Sequence, residues 1–356
     1  MKKVAWVLLV LGCMSSVFAE TLLKAPLVAG YCQARRLVNE MPPEKIDCRY
    51  DVLFHAFFVA DVADGKVMVK AAGNLPSADI VHRSQERGQK VLLSLGGGGV
   101  KSFKALTATD ALCRDYVKAV MAHVQSRGYD GVDLDWEHPV SKADAGRWDV
   151  LTAELRRALD AYGREVGRKL YLTTALAPGE WCWRHLDYRA LGRNLDFVFM
   201  MCYDGAWGQV AYHASVDMQK DLAHFSEKTG YPRDRVIVGM PFYGTRIVTD
   251  KAYGPTSNRT QMLYRDIPAA VRAHGVFDEK TMGMSAWVRE DGRKVLYWFD
   301  APRSIADKTA VSLKNGFGGV FCWAVGQDLL QDGSQPLGDA MCGAIKPSFR
   351  MAPVTP

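Results

Sequence analysis

The sequence predicts an α/β chain folded as a closed, parallel (β/α)8 TIM barrel, and three observations carry that expectation. Eight short apolar runs rich in strand formers alternate with stretches of helical periodicity. The length of 356 residues suits one large barrel with a sizeable core. No GxGxxG turn follows the first strand, which weakens the alternative of a doubly wound open sheet.

Strands are expected at residues 25–31, 50–59 and 91–95, in the acidic run that begins at Tyr129, and at 170–175, 195–203, 236–241 and 319–323. Helical patterns lie at 79–89, 104–127, 144–166, 215–228, 301–315 and 336–344. Pro42 and Pro43 break the stretch between the first two strands, and Gly96 to Gly99 end the third. One connection is too long for a plain loop. Residues 245–295 read as a small α+β insertion between strand seven and the following barrel helix, with a helix at 261–273 and strands at 285–288 and 294–298. The catalytic barrel then takes 20–244 and 296–346, and 347–356 form a tail.

Lys2 and Lys3, the apolar Val4 to Leu11 and the small residues ending at Ala19 have the layout of a signal peptide, residues 1–19, cleaved after Ala19. The apolar run is too short to span a bilayer. A lipoprotein acylated at Cys13 is the alternative, and either reading makes the protein secreted or periplasmic. Seven cysteines remain after such cleavage, an odd number in a compartment where disulfides form. Cys32 and Cys48, flanking the first loop, are the best pair for a bridge. No CxxC or Cys/His spacing points to a metal. The formal charge of +6 includes Lys2 and Lys3 and is too mild and dispersed for a nucleic-acid partner. A monomer is expected.

Chemistry concentrates in Asp130-Gly131-Val132-Asp133-Leu134-Asp135-Trp136-Glu137. Read as a strand, this run sets Asp133, Asp135 and Glu137 on one face and Val132, Leu134 and Trp136 on the other. Three adjacent carboxylates repel one another and resist burial, so the ladder reads as a tuned acid. Asp130 has the opposite parity and is assigned to shaping the strand entrance.

The order DxxDxDxE resembles the signature of glycoside hydrolase family 18 chitinases. Ser94-Leu95-Gly96-Gly97 is similar to that family's SxGG, Met201-Cys202-Tyr203-Asp204 to its MxYD, and Gly239-Met240-Pro241-Phe242-Tyr243-Gly244 to its GxPFYG. The usual arginine after that last glycine is replaced by Thr245, with Arg246 one place on. Period two sends Met201 and Tyr203 into the barrel and Cys202 outward. Trp323 ends strand eight, where the family stacks a sugar, and Tyr31 and Phe57 fit the remaining aromatic positions of the floor. Trp207, Trp181 and Trp183 lie on loops of the same rim.

The resemblance implies a retaining, substrate-assisted hydrolysis of β-1,4-linked N-acetylglucosamine, without metal or organic cofactor. Glu137 is then the general acid, Asp135 holds the substrate acetamido N–H, Asp133 tunes Asp135, and Tyr203 contacts the acetamido oxygen. Substrate contacts are assigned to Tyr31, Phe57, Ser94, Trp136, Met201, Asp204, Trp207, Tyr243 and Trp323. The partner is chitin or a chitooligosaccharide. An endo-β-N-acetylglucosaminidase acting on glycans or peptidoglycan is the alternative, and a non-catalytic chitin-binding lectin is disfavoured because Glu137 is present.

Overall fold

Apolar runs without polar alternation mark strands covered on both faces, and in this chain they close a barrel. A computed structural model describes residues 22–70, 75–204, 216–248 and 259–347. The barrel strands are β1 (Leu27–Gln33), β2 (Val52–Phe58), β3 (Lys90–Gly96), β4 (Gly131–Asp135), β5 (Tyr171–Leu176), β6 (Phe197–Met200), β7 (Val236–Pro241) and β8 (Gly319–Trp323). Each pairs in parallel with the next, and β1 closes on β8. The expected leader of residues 1–19, with Cys13, lies outside the described residues, as do Trp207 and residues 348–356.

Alternation along each strand builds two cores. Inside the barrel, Ala29, Phe54, Leu92, Phe199, Ile237 and Phe321 fill the lumen. Outside it, Val28, Leu53, Leu93, Leu134 and Val238 pack under the helices. The helix Lys142–Val166, which follows β4, starts at Ser141, whose hydroxyl accepts from Asp144 N, and stops at Gly167 in the left-handed region with φ 68°.

Several elements differ from expectation. The helical stretch at 104–127 is two helices, Phe103–Leu106 and Asp110–Arg127, because Thr109 caps the second by accepting from Leu112 N at 3.2 Å. Strand six is shorter than expected. A hairpin of Ala60–Ala63 and Lys66–Val69 turns at Asp64-Gly65, both at positive φ, a pairing for which Asp-Gly is suited. In the insertion, the expected continuous helix at 261–273 does not form. Arg259–Leu263 pairs as a strand with Tyr243–Val248, Tyr264–Asp266 is one 3-10 turn, and Ala269–Ala273 is a short α-helix. Cross-strand pairing there overrides local helical periodicity. The insertion is a five-stranded antiparallel sheet that also contains Arg293–Phe299, Gly283–Glu290 and Val276–Asp278.

The expected Cys32–Cys48 bridge is absent, and all seven described cysteines are free. Cys32 points from β1 into the outer core, whereas Cys48 is half-buried in the loop before β2.

His55 on β2 is fully buried, its Nδ1 3.1 Å from Tyr129 Oη, with Nε2 unpartnered. Burial pushes its imidazole down to about 3. The folded state therefore resists a proton that the unfolded chain accepts near its ordinary value of 6.5. Stability from this neutral histidine is full above that value and is lost as pH falls towards the folded value. Replacing both partners, His55→Leu with Tyr129→Phe, is expected to flatten the decline in unfolding free energy between about pH 6.5 and pH 4. Urea denaturation across that window, beside the parent chain, measures it.

Candidate active site

The carboxyl end of β4 is set by register. Asp133 stands opposite Ser94 on β3 and Thr173 on β5, so three inward side chains meet at one level of the barrel. Asp133 Oδ2 accepts from Ser94 Oγ at 2.7 Å and from Tyr31 Oη at 2.9 Å, and Oδ1 accepts from Thr173 Oγ1 at 2.7 Å. Burial raises its pKa, and these three hydrogen bonds oppose the rise.

One step outward, Asp135 is buried and shares a hydrogen bond with Glu137. Its Oδ1 is buried with no hydrogen-bond partner. Burial, the charge of Glu137 and that of Asp133 push Asp135 well above the usual carboxylate range. Glu137 is raised as well, by burial first and by the charge of Asp204 second. The hydrogen bond with Asp135 lowers Glu137, so Asp204 is the neighbour whose charge raises it. Both carboxyls are thus pushed towards the protonated form, and as neighbours they titrate as a pair.

The glycines after β3 make room for the ladder. Gly96 and Gly97 sit at φ 101° and 96°. A Cβ on Gly96 would meet Asp135 O at 2.4 Å, and one on Gly97 would meet the Phe57 ring at 2.4 Å. Any side chain there displaces the acids or the aromatic floor.

Beyond β6, Tyr203 and Met201 pack against the lumen cluster and Cys202 packs outside it. Burial and the surrounding carboxylates hold the Tyr203 phenol well above its ordinary value, so it remains an O–H donor. Asp204 adopts φ 55°, and Tyr243 donates its hydroxyl to Asp204 Oδ2 at 2.8 Å. Phe57 and Trp323 stack with centroids 5.6 Å apart. Both are part-exposed and form the floor of the mouth.

Four expected substrate contacts need correction. Ser94 and Tyr31 are sealed from the mouth, and their hydroxyls are committed to Asp133. Tyr243 is likewise buried and supports Asp204. Trp136 faces the outer core, 3% exposed and stacked on Phe103 at 5.0 Å, as the parity of Val132 and Leu134 dictates. On the rim, Trp183 is buried, donating to Pro178 O, whereas Trp181 is exposed. Asp130 is buried at the strand entrance, accepting from Val91 N and Gln85 Nε2 and paired with Arg168.

Three neighbours of the site were not among the expected residues. Thr173 was accessible to parity, since it follows Tyr171 by two. His138 adjoins Glu137 in sequence, with Nε2 3.8 Å from Glu137 Oε2 and Nδ1 3.5 Å from Cys182 Sγ. Burial pushes its imidazole down to about 4, which leaves it neutral at ordinary pH. Arg259, from the insertion, places Nη2 3.9 Å from Asp204 Oδ1. No local signal marks it.

A parallel eight-stranded barrel with coupled carboxylates at the carboxyl ends of its strands has the arrangement of a glycoside hydrolase. Residues 29–328 match the family model of the glycosyl hydrolases family 18, and the chain belongs to that family. It is 27% identical over 270 residues to a probable endochitinase of Caenorhabditis elegans, covering 67% of this chain and 44% of that protein. The chain spans about half to two thirds of the length of such curated relatives. A glycoside hydrolase family 18 chitinase from Cycas revoluta, solved with (GlcNAc)3, shares the fold with TM-score 0.76 and 23% identity, over 89% of this chain and 99% of that one. A chitinase-like agglutinin from Robinia pseudoacacia shares it with TM-score 0.74 and 22% identity, over 89% and 98%.

Thr173→Val keeps the shape of the side chain and deletes one of the three donors to Asp133. It is expected to cost about 1.5–3 kcal/mol of stability near neutral pH, because a buried carboxylate loses a hydrogen bond. Chemical denaturation measures the loss.

Proposed function

We propose that the chain is an exported chitinase that cleaves β-1,4 bonds between N-acetylglucosamine units with retention, through the substrate's own acetamido group. The observation that carries the reading is the buried, unpartnered Asp135 Oδ1 beside the proton-sharing Glu137. An unpaired buried acceptor costs about 1–3 kcal/mol, which an acetamido N–H would relieve. The layout of residues 1–19 supports export. Among the described residues no helix is long and apolar enough to cross a membrane.

Glu137, protonated, donates to the oxygen of the bond to be cut as that bond breaks. The acetamido oxygen attacks the anomeric carbon and closes an oxazolinium ring, whose N–H is held by Asp135. Tyr203 donates to the acetamido oxygen while Asp204 accepts from the sugar. Water then loses a proton to Glu137 and opens the ring from the side the leaving group left, giving net retention. Trp323 and Phe57 offer the apolar face on which a pyranose ring stacks. The same fold serves a chitinase-like agglutinin, so the distinction from a lectin rests on Glu137 and not on the barrel.

Glu137→Gln is expected to lower kcat on an N-acetylglucosamine tetramer by about 10²–10⁴, the usual worth of a positioned acid. Disaccharide released from peptidoglycan and none from chitin oligomers would overturn the substrate. In the parent enzyme, kcat/KM should follow a bell whose alkaline limb lies above the ordinary glutamate value of 4.5, because burial raises the pair. A pH series on the tetramer reads the limb, and a profile falling away near 4.5 would contradict the shared proton.

A further inference from the structure

We infer that Arg259, carried by the insertion, binds the sugar as one half of a clamp whose other half is Asp204. The inference rests on reading the site as one for N-acetylated sugars.

Strand parity in the insertion selects this arginine over Arg246. Antiparallel pairing sets Tyr243 opposite Leu263, Thr245 opposite Gln261 and Ile247 opposite Arg259. Residues directly opposite share a face, and period two puts Tyr243, Thr245 and Arg259 on the same one. Arg246 projects from the other face. There its Nε donates to Glu290 Oε2 at 2.9 Å, and Tyr297, directly opposite Arg246, donates to the same carboxylate. A guanidinium so engaged is turned away from Asp204.

Arg259 lies on the side of the mouth. Its Nη2 is 3.4 Å from Thr245 Oγ1, at the limit of a hydrogen bond, and 3.9 Å from Asp204 Oδ1. Asp204 Oδ2 is taken by Tyr243. The Arg259 and Asp204 side chains keep 28% and 49% of their surface exposed, so a ligand can reach both. A separation of 3.9 Å is too long for a direct N–H···O bond. It does suit one bridging oxygen, about 2.9 Å from the donor and about 2.7 Å from the acceptor. A sugar hydroxyl accepts from one group and donates to the other, whereas an ether or a carbonyl oxygen cannot do both. The barrel alone does not complete the clamp, since Arg259 depends on the fold of the insertion.

The cation also acts on the acid. Burial raises Asp204, and Arg259 opposes that rise. Asp204's charge in turn raises Glu137. Without Arg259, Asp204 takes a proton at higher pH, so the acid limb of kcat/KM should move upward.

The test uses the full chain with an N-acetylglucosamine tetramer. In a Glu137→Gln background, calorimetry should show Arg259→Ala weakening binding by about 10- to 100-fold. Arg246→Ala should change it by less than about twofold. In the active enzyme, Arg259→Ala should raise KM more than it lowers kcat and shift the acid limb to higher pH, with Arg259→Lys restoring the limb and part of the affinity. Should the alanine variant not fold, Arg259→Gln, which keeps hydrogen bonding but no charge, must still shift the limb. A variant that binds and titrates like its parent would sink the inference. If the parent binds the tetramer without cutting it, the chitinase reading falls, and the binding comparison alone decides Arg259. If the tetramer does not bind the parent, both fall.

Discussion

A fully buried aspartate, Asp133, held by neutral hydroxyls alone, is the constraint on which the site depends. Its donors come from Tyr31 on β1, Ser94 on β3 and Thr173 on β5, so the strands around it are fixed relative to β4. Hydroxyls offset the cost of burial without cancelling the charge. Asp130, three residues earlier, is treated in the opposite way, with Arg168 against it and Lys90 nearby. A cation on Asp133 would neutralise the base of the ladder and remove one of the charges that push Asp135 up. Among the described residues, Arg168 and Lys90 thus stand against Asp130 at the strand entrance, whereas the partners of Asp133 are hydroxyls.

Period-two reasoning made much of this legible. It separated Asp133, Asp135 and Glu137 from Asp130, and it placed Cys202 outside the lumen with Met201 and Tyr203 inside. The same rule excludes Trp136 from the mouth, although it adjoins the acids in sequence. Parity also points to Thr173 once β5 is aligned with β4, but alignment between strands is a tertiary fact. Sealing of Tyr31 and Tyr243 was not legible, because a residue's type and face do not reveal how deep in the barrel it sits.

The insertion was the least readable part for a physical reason. Its 261–273 stretch has helical periodicity, yet its first three residues end a strand, Arg259–Leu263, because the edge of Tyr243–Val248 is available to pair with it. Strand preference depends on the neighbour more than helix preference does. Arg259 follows from that pairing. A reading as helix would scatter Arg259, Thr245 and Tyr243 with no common face.

Asp204 joins these two levels of organisation. It stands just past β6 in a left-handed conformation that aspartate tolerates better than most residues. Its carboxylate is held by Tyr243, which begins the first strand of the insertion two residues after the end of β7. A tilt of the insertion sheet would move Tyr243 and with it one hydrogen bond to Asp204. Since the charge of Asp204 is one of the causes that raise Glu137, the pose of a subdomain bears on the proton affinity of the acid. A chain with the same barrel and a differently seated insertion would keep the ladder of β4 intact and still titrate differently.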